Sequence, residues 1–282
     1  MNTDSFHFKV GMFECIAVSD GTLTYSDPVR TLFANAPKEQ LAQVLPAYSI
    51  QLEQWSEWVS PFICLVIRTA EHCVLLDTGV GTIDFAPKAG KLVQNLQAVG
   101  IQPADIDTVI LTHGHPDHIG GITDVAGKVV FANARHVMWQ AEWEFWSLEA
   151  GLAFDEFDAK HARRKLSPLA GRLDLINREI EIVPGIHAVL AAGHTPGHMA
   201  LAVVSASEEL LYVGDAFGHP IHLEHPDWNI LYDYQPELAV QSRRQLRDRA
   251  VAGQARILAF HFDFPGLGYV RHPQGEWKWQ PM

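Results

Sequence analysis

Short apolar runs recur along the chain and are separated by Gly, Pro, Asp and Asn, a pattern typical of strands bounded by turns. Runs such as "FICLVI" are apolar at every position, which predicts strands that are covered on both faces. The pattern predicts strands at residues 13–21, 62–69, 73–79, 107–113, 128–133, 179–191, 199–205, 209–215 and 256–261.

Apolar positions with helical spacing lie between these runs. In residues 88–100, Leu92, Leu96 and Val99 fall on one face of a helix that ends at a glycine. Further helices are predicted at residues 134–150, 155–166 and 236–252, the last of which begins with Pro and Glu. Because many strand pairs follow one another without a helix between them, the pattern predicts mixed or antiparallel sheets with helices outside.

The composition favours one folded unit. The chain has 282 residues, of which 48% are hydrophobic, so it can form a sizeable buried core. It shows no internal repeat and no low-complexity linker, and we predict a single domain over residues 1–282. The three cysteines, Cys15, Cys64 and Cys73, are widely spaced and fit buried apolar positions better than a disulfide framework.

Charge and terminal sequence restrict the classes of partner. The formal net charge is −12, which argues against binding to nucleic acids or to anionic membranes. The first ten residues show no basic segment followed by an apolar one, and no apolar run is long enough to span a membrane. We therefore expect a cytoplasmic protein with a small-molecule substrate. A monomer and a homodimer are both compatible with these features.

The segment "THGHPDHIGG", residues 112–121, concentrates metal-ligand side chains in one loop after an apolar strand. His113, His115 and Asp117 share parity in an extended or turning segment and can point the same way, whereas His118 points elsewhere. One loop can thus serve two metals, with a His-x-His pair for one and an Asp-His pair for the other. The glycines and the proline of the segment permit the turns that this requires.

Four donors cannot fill two coordination spheres, so further ligands are expected at the ends of other strands. His194 follows "HAVLA" in a Gly/Pro turn, Asp215 ends the run "LLYVGD", and His261 ends "RILAFH". A rigid strand that ends in a single donor is suited to hold a ligand in place. A lone donor of this kind is more often a cap or a loop residue, but the first motif raises the weight of all three.

Other polar residues are candidates for supporting roles. Asp77 in "LLDTG" is either an acceptor that orients a ligating imidazole or the start of an Asx turn, with about equal weight. His198 is expected to hold the 193–198 turn by a hydrogen bond rather than to bind metal. His219, His222 and His225 are not expected to be ligands, since seven donors already complete two spheres.

The succession of "LLDTG", "THGHPDH", "GHTPGH", "VGDA" and a late strand-end histidine resembles the metallo-β-lactamase-fold hydrolase superfamily over nearly the whole chain. The branch of methyl parathion hydrolase and related lactonases is the most similar, through "KVGMFECIAVSDGTL", "VPGIHAVLAAGHTPGH" and "HFDFPGLGYVR". The resemblance implies an α+β fold, an αββα sandwich of two mixed β-sheets with helices on the outer faces. It also implies a dinuclear site in which one metal is held by His113, His115 and His194, the other by Asp117, His118 and His261, with Asp215 as the bridge.

The expected activity is the opening of a lactone or the cleavage of an ester, with phosphotriesters as further substrates. Two divalent metals can supply a hydroxide near neutral pH and polarise the bond that it attacks, and Asp117 is the catalytic candidate for proton transfer. Imidazole and carboxylate ligands favour Zn here and also suit Fe, Mn, Co or Ni. A diiron redox enzyme on this fold, a glyoxalase II-like thioester hydrolase and a non-catalytic metal-binding module remain the alternatives.

The substrate pocket is expected among the aromatic segments of the chain. Trp146, in the helical segment after the first motif, is predicted to line it, although such a residue is more often part of the core. Phe264 and Leu267, just beyond His261, are predicted to line its mouth. Trp55 and Trp58, before the second strand, and Trp139 and Trp143, in the same helical segment as Trp146, are further aromatic candidates that are likewise more often part of the core.

Overall fold

The computed structural model describes residues 4–82 and 86–282, and it shows two seven-stranded sheets that enclose a common apolar core. The strands of the first sheet are β1 Ser5–Val10, β2 Phe13–Tyr25, β3 Trp58–Arg68, β4 Cys73–Leu76, β5 Thr108–Ile110, β6 Arg135–Trp139 and β7 Leu173–Ile176. Those of the second sheet are β8 Glu181–Val183, β9 Ile186–Leu190, β10 Met199–Ser205, β11 Glu208–Tyr212, β12 Arg256–Leu258, β13 Leu267–Arg271 and β14 Lys278–Pro281.

Both sheets are mixed, and each strand pairs with its neighbours in the sequence. In the first sheet β1 to β4 are antiparallel and β4 to β7 are parallel. In the second sheet only the β11–β12 pair is parallel among the described strands. The carboxyl ends of a parallel pair meet at the same edge of a sheet, so the residues after β4 and β5, and after β11 and β12, are brought together.

The uninterrupted apolar run of β10 shows how the layers are covered. Met199, Leu201 and Val203 belong to the core between the sheets. Ala200 and Ala202 point the other way and belong to the cluster that packs under the last long helix. Both faces of this strand are therefore buried, which explains why its sequence lacks polar alternation.

Nine α-helices are present in the described ranges 4–82 and 86–282, and the longer ones cover the outer faces of the sheets. They are α1 Pro28–Leu32, α2 Lys38–Val44, α3 Leu92–Ala98, α4 Pro116–Ile119, α5 Gln140–Ser147, α6 Glu149–Phe154, α7 Glu156–Leu166, α8 Ile221–Glu224 and α9 Pro236–Ala252. Helix α3 packs on β2 of the first sheet, and α9 packs on β13 of the second. The order of layers is therefore helix, sheet, sheet, helix.

Three predicted segments differ from the structure. Residues 128–133 form no strand, and β6 takes residues 135–139, which the sequence pattern assigns to a helix. His136 pairs with Val109 of β5, so pairing with the sheet outweighs the helical spacing of the aromatic residues. The predicted strand at 179–191 is two strands, because Pro184 and Gly185 turn the chain and Gly185 has a φ of +83°.

The predicted α+β class and the αββα sandwich are confirmed. Helix 236–252 and strand 199–205 have the bounds that the pattern predicts. The single domain over residues 1–282 stays a prediction. None of the helices in the described part of the chain combines the length and the apolar character that a membrane-spanning segment needs.

Candidate metal centre

The loop after β5 carries four of the seven predicted donors to one edge of the sandwich. Strand β5 ends at Ile110, and helix α4 begins at Pro116, with His115 in an extended conformation directly before it. Asp117 and His118 therefore lie in a helical turn, so of the extended or turning backbone expected for Asp117 the turning form is present. The turn arises because Pro116 is suited to the first position of a helix.

The other three donors reach the same edge from the second sheet. His194 lies in the turn between β9 and β10, Asp215 in a short 3₁₀ turn after β11, and His261 three residues after β12. All three side chains are buried, with exposed fractions below 9%. Strands that end at this edge thus position each donor on a rigid part of the fold, as the sequence predicts.

His113, His115 and His194, which we call the three-histidine half, converge on one point. Nδ1 of His115 lies 2.9 Å from Nε2 of His113 and 3.0 Å from Nε2 of His194. Oδ2 of Asp215 lies 3.8 Å from the first of these Nε2 atoms and 3.5 Å from the second. One atom of each of the four side chains lies within 4.8 Å of the others, a spacing that a single metal ion can bridge.

Asp117, His118 and His261, which we call the Asp117 half, form a second group of donors. Oδ2 of Asp117 lies 3.5 Å from Nε2 of His261 and 3.8 Å from Nε2 of His118. Asp215 contacts this half as well, with Oδ1 3.0 Å from Nε2 of His118 and Oδ2 3.1 Å from Nε2 of His261. Asp215 therefore lies between the two groups.

The buried donor atoms are better suited to bind metal ions than to form hydrogen bonds with one another. Nε2 of His118 and Oδ1 of Asp215 lie 3.0 Å apart, yet both are buried without an assigned hydrogen-bond partner among the described residues. Burial lowers the pKa of His113 and of His115 well below the ordinary value, which favours the neutral imidazoles that metal ligands require. We conclude that the donor set fits two metal ions.

The Asp117 half has the opposite electrostatic character. Burial lowers the pKa of His118, but Asp215, Asp117 and Asp77 outweigh it and raise that pKa well above its ordinary value. Burial also lowers the pKa of His261, and Asp215 and Asp117 again raise it above the usual value. Carboxylates therefore favour positive charge at this half, as they do around a bound cation.

Asp77 orients His118, as one of the two sequence interpretations expects. Its Oδ2 lies 2.8 Å from Nδ1 of His118, the ring nitrogen that faces away from the donors. Its Oδ1 accepts the backbone N–H of Thr112 at 2.8 Å, and Oδ2 accepts the hydroxyl of Tyr212 at 3.0 Å. Asp77 also has a φ of +60°, but the hydrogen bonds described for its side chain reach Thr112, His118 and Tyr212 and do not form the Asx turn of the other interpretation.

Asp233 plays the corresponding part for His194 and was not identified from the sequence. Its Oδ1 lies 3.1 Å from Nδ1 of His194, and its Oδ2 accepts a 2.6 Å hydrogen bond from the buried Arg243. Burial opposes the ionisation of Asp233, but Arg243 and His194 outweigh it and lower the pKa to about 2. The signal in the sequence is Arg243 itself, because an arginine at a buried position of α9 needs an acid near it.

The remaining histidines lie outside the two halves. Nδ1 of His198 lies 3.1 Å from the carbonyl of Ala191, and its Nε2 accepts the backbone N–H of Asp215, so it holds the turn as predicted. Nε2 of His222 lies 2.8 Å from the carbonyl of Leu32, while the ring of His225 stacks on that of Trp228. His219 packs against aromatic rings, among them those of Phe33, Tyr48 and Trp55.

The two glycines that close the first motif are required by a close approach of the chain. A Cβ atom at Gly120 would overlap the carbonyl of Val80, and one at Gly121 would overlap the carbonyl of Thr78. The backbone N–H of Val80 is in turn held by buried Asp20 at 2.8 Å. The segment after β4 therefore packs directly on the donor loop.

A cavity of about 340 Å³ opens onto the donors. Its floor contains His115, Asp117, His194, Asp215 and His261. Its walls come from β2, α1, β3, α7 and the segment before α9, and they are lined by Leu23, Tyr25, Thr31, Leu32, Trp58, Phe62, Pro116, Asp155, Phe157, Asp158, Gly218, Ile230 and Tyr232. The volume and the mostly apolar walls are typical of a small-molecule site.

The three tentative pocket residues are not part of this lining. Trp146 is fully buried below the donors, where its ring contacts His115 and its Nε1–H donates to Glu142 at 2.6 Å. Leu267 is buried in β13, and Phe264 packs against the core. The structure thus places Trp146 and Leu267 in the interior and leaves Phe264 half-buried against the core, while Trp58 does line the cavity.

Known proteins share this architecture. The family model of the metallo-beta-lactamase superfamily matches residues 64–261, a range that includes all seven donors. This chain belongs to the metallo-beta-lactamase superfamily. Within it, an N-acyl homoserine lactonase of Bacillus thuringiensis is 27% identical over 222 residues, which cover 72% of this chain and 81% of that protein.

Two solved structures of the superfamily match nearly the whole chain. AidC, a dizinc quorum-quenching lactonase in complex with the product N-hexanoyl-L-homoserine, is 26% identical, with a TM-score of 0.90 and coverage of 100% of this chain and 99% of that one. The hydrolase AbOPH is 25% identical, with a TM-score of 0.87 and coverage of 100% and 98%. The predictions of the superfamily and of a metal-dependent hydrolase are confirmed.

Proposed function

We propose that this chain opens the ester ring of neutral N-acyl homoserine lactones, with two zinc ions held by the seven donors. The observation that supports it most is the cavity, whose floor is the donor cluster and whose walls are apolar. AidC, which matches the whole chain, holds an N-acyl homoserine product. Zinc is favoured because the donors are imidazoles and carboxylates and because AidC is a dizinc enzyme.

Metal ions bound at these donors would supply Lewis-acid polarisation of the ester carbonyl and lower the pKa of bound water. Water adds to the carbonyl carbon, the ring C–O bond breaks, and the departing alkoxide needs a proton. Asp117 is the catalytic residue that we propose for this transfer, since its carboxylate belongs both to the donors and to the cavity lining. It would hold the proton at a carboxylate oxygen and pass it to the ring oxygen.

The walls favour an uncharged substrate with an apolar chain. Leu23, Trp58 and Ile230 offer apolar surface, whereas Asp155 and Asp158 add carboxyl groups beside the donors, and burial, with Asp155 and Asp117 nearby, raises the pKa of Asp158 to about 7. Among the described lining residues there is no lysine or arginine. A glutathione thioester carries carboxylates that such a wall would repel, which disfavours the glyoxalase II-like alternative.

The test is a hydrolysis screen of zinc-reconstituted protein. The substrates are N-hexanoyl homoserine lactone, an aryl ester, a phosphotriester and S-lactoylglutathione, and ring opening is followed by proton release. We expect the lactone to have the highest kcat/KM and the thioester the lowest. A preference for the thioester, or no hydrolysis by protein that holds two metals, would contradict the proposal. The variant His115→Ala, prepared in parallel, controls for contaminating hydrolases.

A further inference from the structure

The buried carboxylate of Glu142 connects the two loops that carry the three-histidine half. Glu142 lies in the first turn of α5 and its side chain is fully buried. Its Oε1 accepts the backbone N–H of Gly114 at 2.8 Å, between His113 and His115. Its Oε2 accepts the backbone N–H of Gly197 at 3.0 Å, three residues after His194.

These two loops come from different sheets and have no common strand. The loop with Gly114 follows β5 of the first sheet, and the loop with Gly197 joins β9 and β10 of the second. Helix α5 packs directly against both loops. A Cβ atom at Gly114 would overlap the ring of Trp146, and one at Gly197 would overlap the backbone nitrogen of Glu142. One carboxylate thus connects the two loops at Gly114 and Gly197, beside the direct backbone hydrogen bond from the N–H of Met199 to the carbonyl of Thr112 at 3.0 Å.

A third hydrogen bond holds the carboxylate itself in place. Nε1–H of Trp146, one helical turn along α5, donates to Oε1 of Glu142 at 2.6 Å. Hydrogen bonds from three N–H groups to a buried carboxylate are strong and directional, so the position of the carboxylate is well determined. Because Nδ1 of His115 already lies 2.9 Å from Nε2 of His113 and 3.0 Å from Nε2 of His194, a small shift of either loop changes their convergence.

We propose that Glu142 is a positioning residue that sets the metal affinity of the three-histidine half, and of that half selectively. It holds Gly114 and Gly197, and with them His115 and His194, at a fixed separation. The Asp117 half has its own supports, Asp77 for His118 and Ser60 for His261, and is independent of Glu142. This inference rests on the metal ligands of the proposed function but not on the lactone as substrate.

The test variant is Glu142→Gln, which keeps the shape and replaces one acceptor oxygen by an NH₂ donor that faces a backbone N–H. Its matched control is Glu144→Gln, the same change at an exposed position of the same helix. Metal content is measured by elemental analysis. The release of each metal to a chelator is followed by Co(II) absorption, with His194→Ala and His261→Ala as spectral references for the two halves.

We expect Glu142→Gln to bind the metal of the three-histidine half about 10- to 100-fold more weakly, the range found when partners of ligands are removed. Release from the Asp117 half and all properties of Glu144→Gln should match the wild type. Equal weakening of both halves, or unchanged release from both, would overturn the proposal. If the references leave both wild-type signals intact, the ligand assignment has failed instead, and the two failures are thereby distinguished.

A second variant covers the case in which Glu142→Gln does not fold. Trp146→Phe keeps an aromatic ring and removes one of the three donors to the carboxylate. Faster release from the three-histidine half alone, by a smaller factor than for Glu142→Gln, supports the proposal. Release that is unchanged at both halves contradicts it. Circular dichroism of both metal-free variants establishes that the folds are comparable.

Discussion

The floor and the walls of the cavity are built by different rules. The floor consists of imidazoles and carboxylates, the side-chain types that oxygen- and nitrogen-ligated metals demand. The walls consist mainly of leucine, isoleucine and aromatic residues, which are the same types that fill the core. Chemistry therefore restricts the residues of the floor to a few types, while the walls are restricted only by shape. Substitutions of the two regions should differ in the size and in the kind of their effect.

The largest effect is expected at the residue shared by both halves. Asp215→Ala removes the carboxylate that contacts His118 and His261 on one side and His113 and His194 on the other. The loss of Lewis-acid stabilisation, several kcal/mol, lowers kcat/KM by about 10³-fold or more. Elemental analysis and a lactone assay measure the result, and circular dichroism shows whether the fold is kept. Wild-type activity in this variant is incompatible with the ligand assignment.

A smaller effect is expected for a residue that contacts only a ligand. Asp77→Asn weakens the interaction with Nδ1 of His118, and metal affinity at the Asp117 half should fall by about 10- to 100-fold. Tyr212→Phe is the control, since it removes another hydrogen bond to the same oxygen and leaves His118 untouched. Chelator competition measures both variants. A larger loss in Tyr212→Phe than in Asp77→Asn would show that sheet packing, not ligand orientation, is the role of Asp77.

On the walls, Tyr232→Ala should change selectivity and leave the metals in place. Tyr232 lines the cavity and is 36% exposed, so its ring is available to an acyl chain. Loss of this contact should raise KM for a long-chain lactone roughly 10-fold, with little change for a short-chain one. Tyr269→Ala in β13, outside the lining, is the control. Equal changes for both chain lengths would contradict this assignment of the wall.

The smallest effect is expected from a single charge at the wall. Asp155→Asn removes a negative charge from the lining, while asparagine can still cap the start of α7 as Asp155 does for Asp158. Activity on an ester with a carboxylate group should rise about threefold, in line with roughly 0.6 kcal/mol for an exposed charge interaction. Activity on the neutral lactone serves as the reference. A rise for both substrates would mean that charge does not govern this selectivity.

The same division explains what could be predicted from the sequence. His113, His115 and His118 could be proposed as metal ligands because several donors in one short loop are improbable without a metal. His194, Asp215 and His261 could be proposed because the donors of that loop do not complete two coordination spheres. Asp233 was missed because the pattern predicts the bounds of helix α9 but not where α9 packs in the fold, and so does not predict the contact between Asp233 and Arg243. Trp146 was placed in the wall because an aromatic residue near a motif carries no information on which way it points. β6 was missed because pairing with β5 overrides a helical spacing.

The parallel pair β11–β12 has a consequence for the order in which the molecule is assembled. Asp215 and His261 follow these two strands and meet only after α9 has crossed from one to the other. Loop closure over such a separation is slow, because its entropy cost is not offset until the two strands pair. The three-histidine half and Asp215 all precede α9 in the chain, whereas the Asp117 half needs His261, which follows it. A metal that binds only the completed site would therefore act late in folding, because its binding shifts the last folding step towards the folded state by mass action.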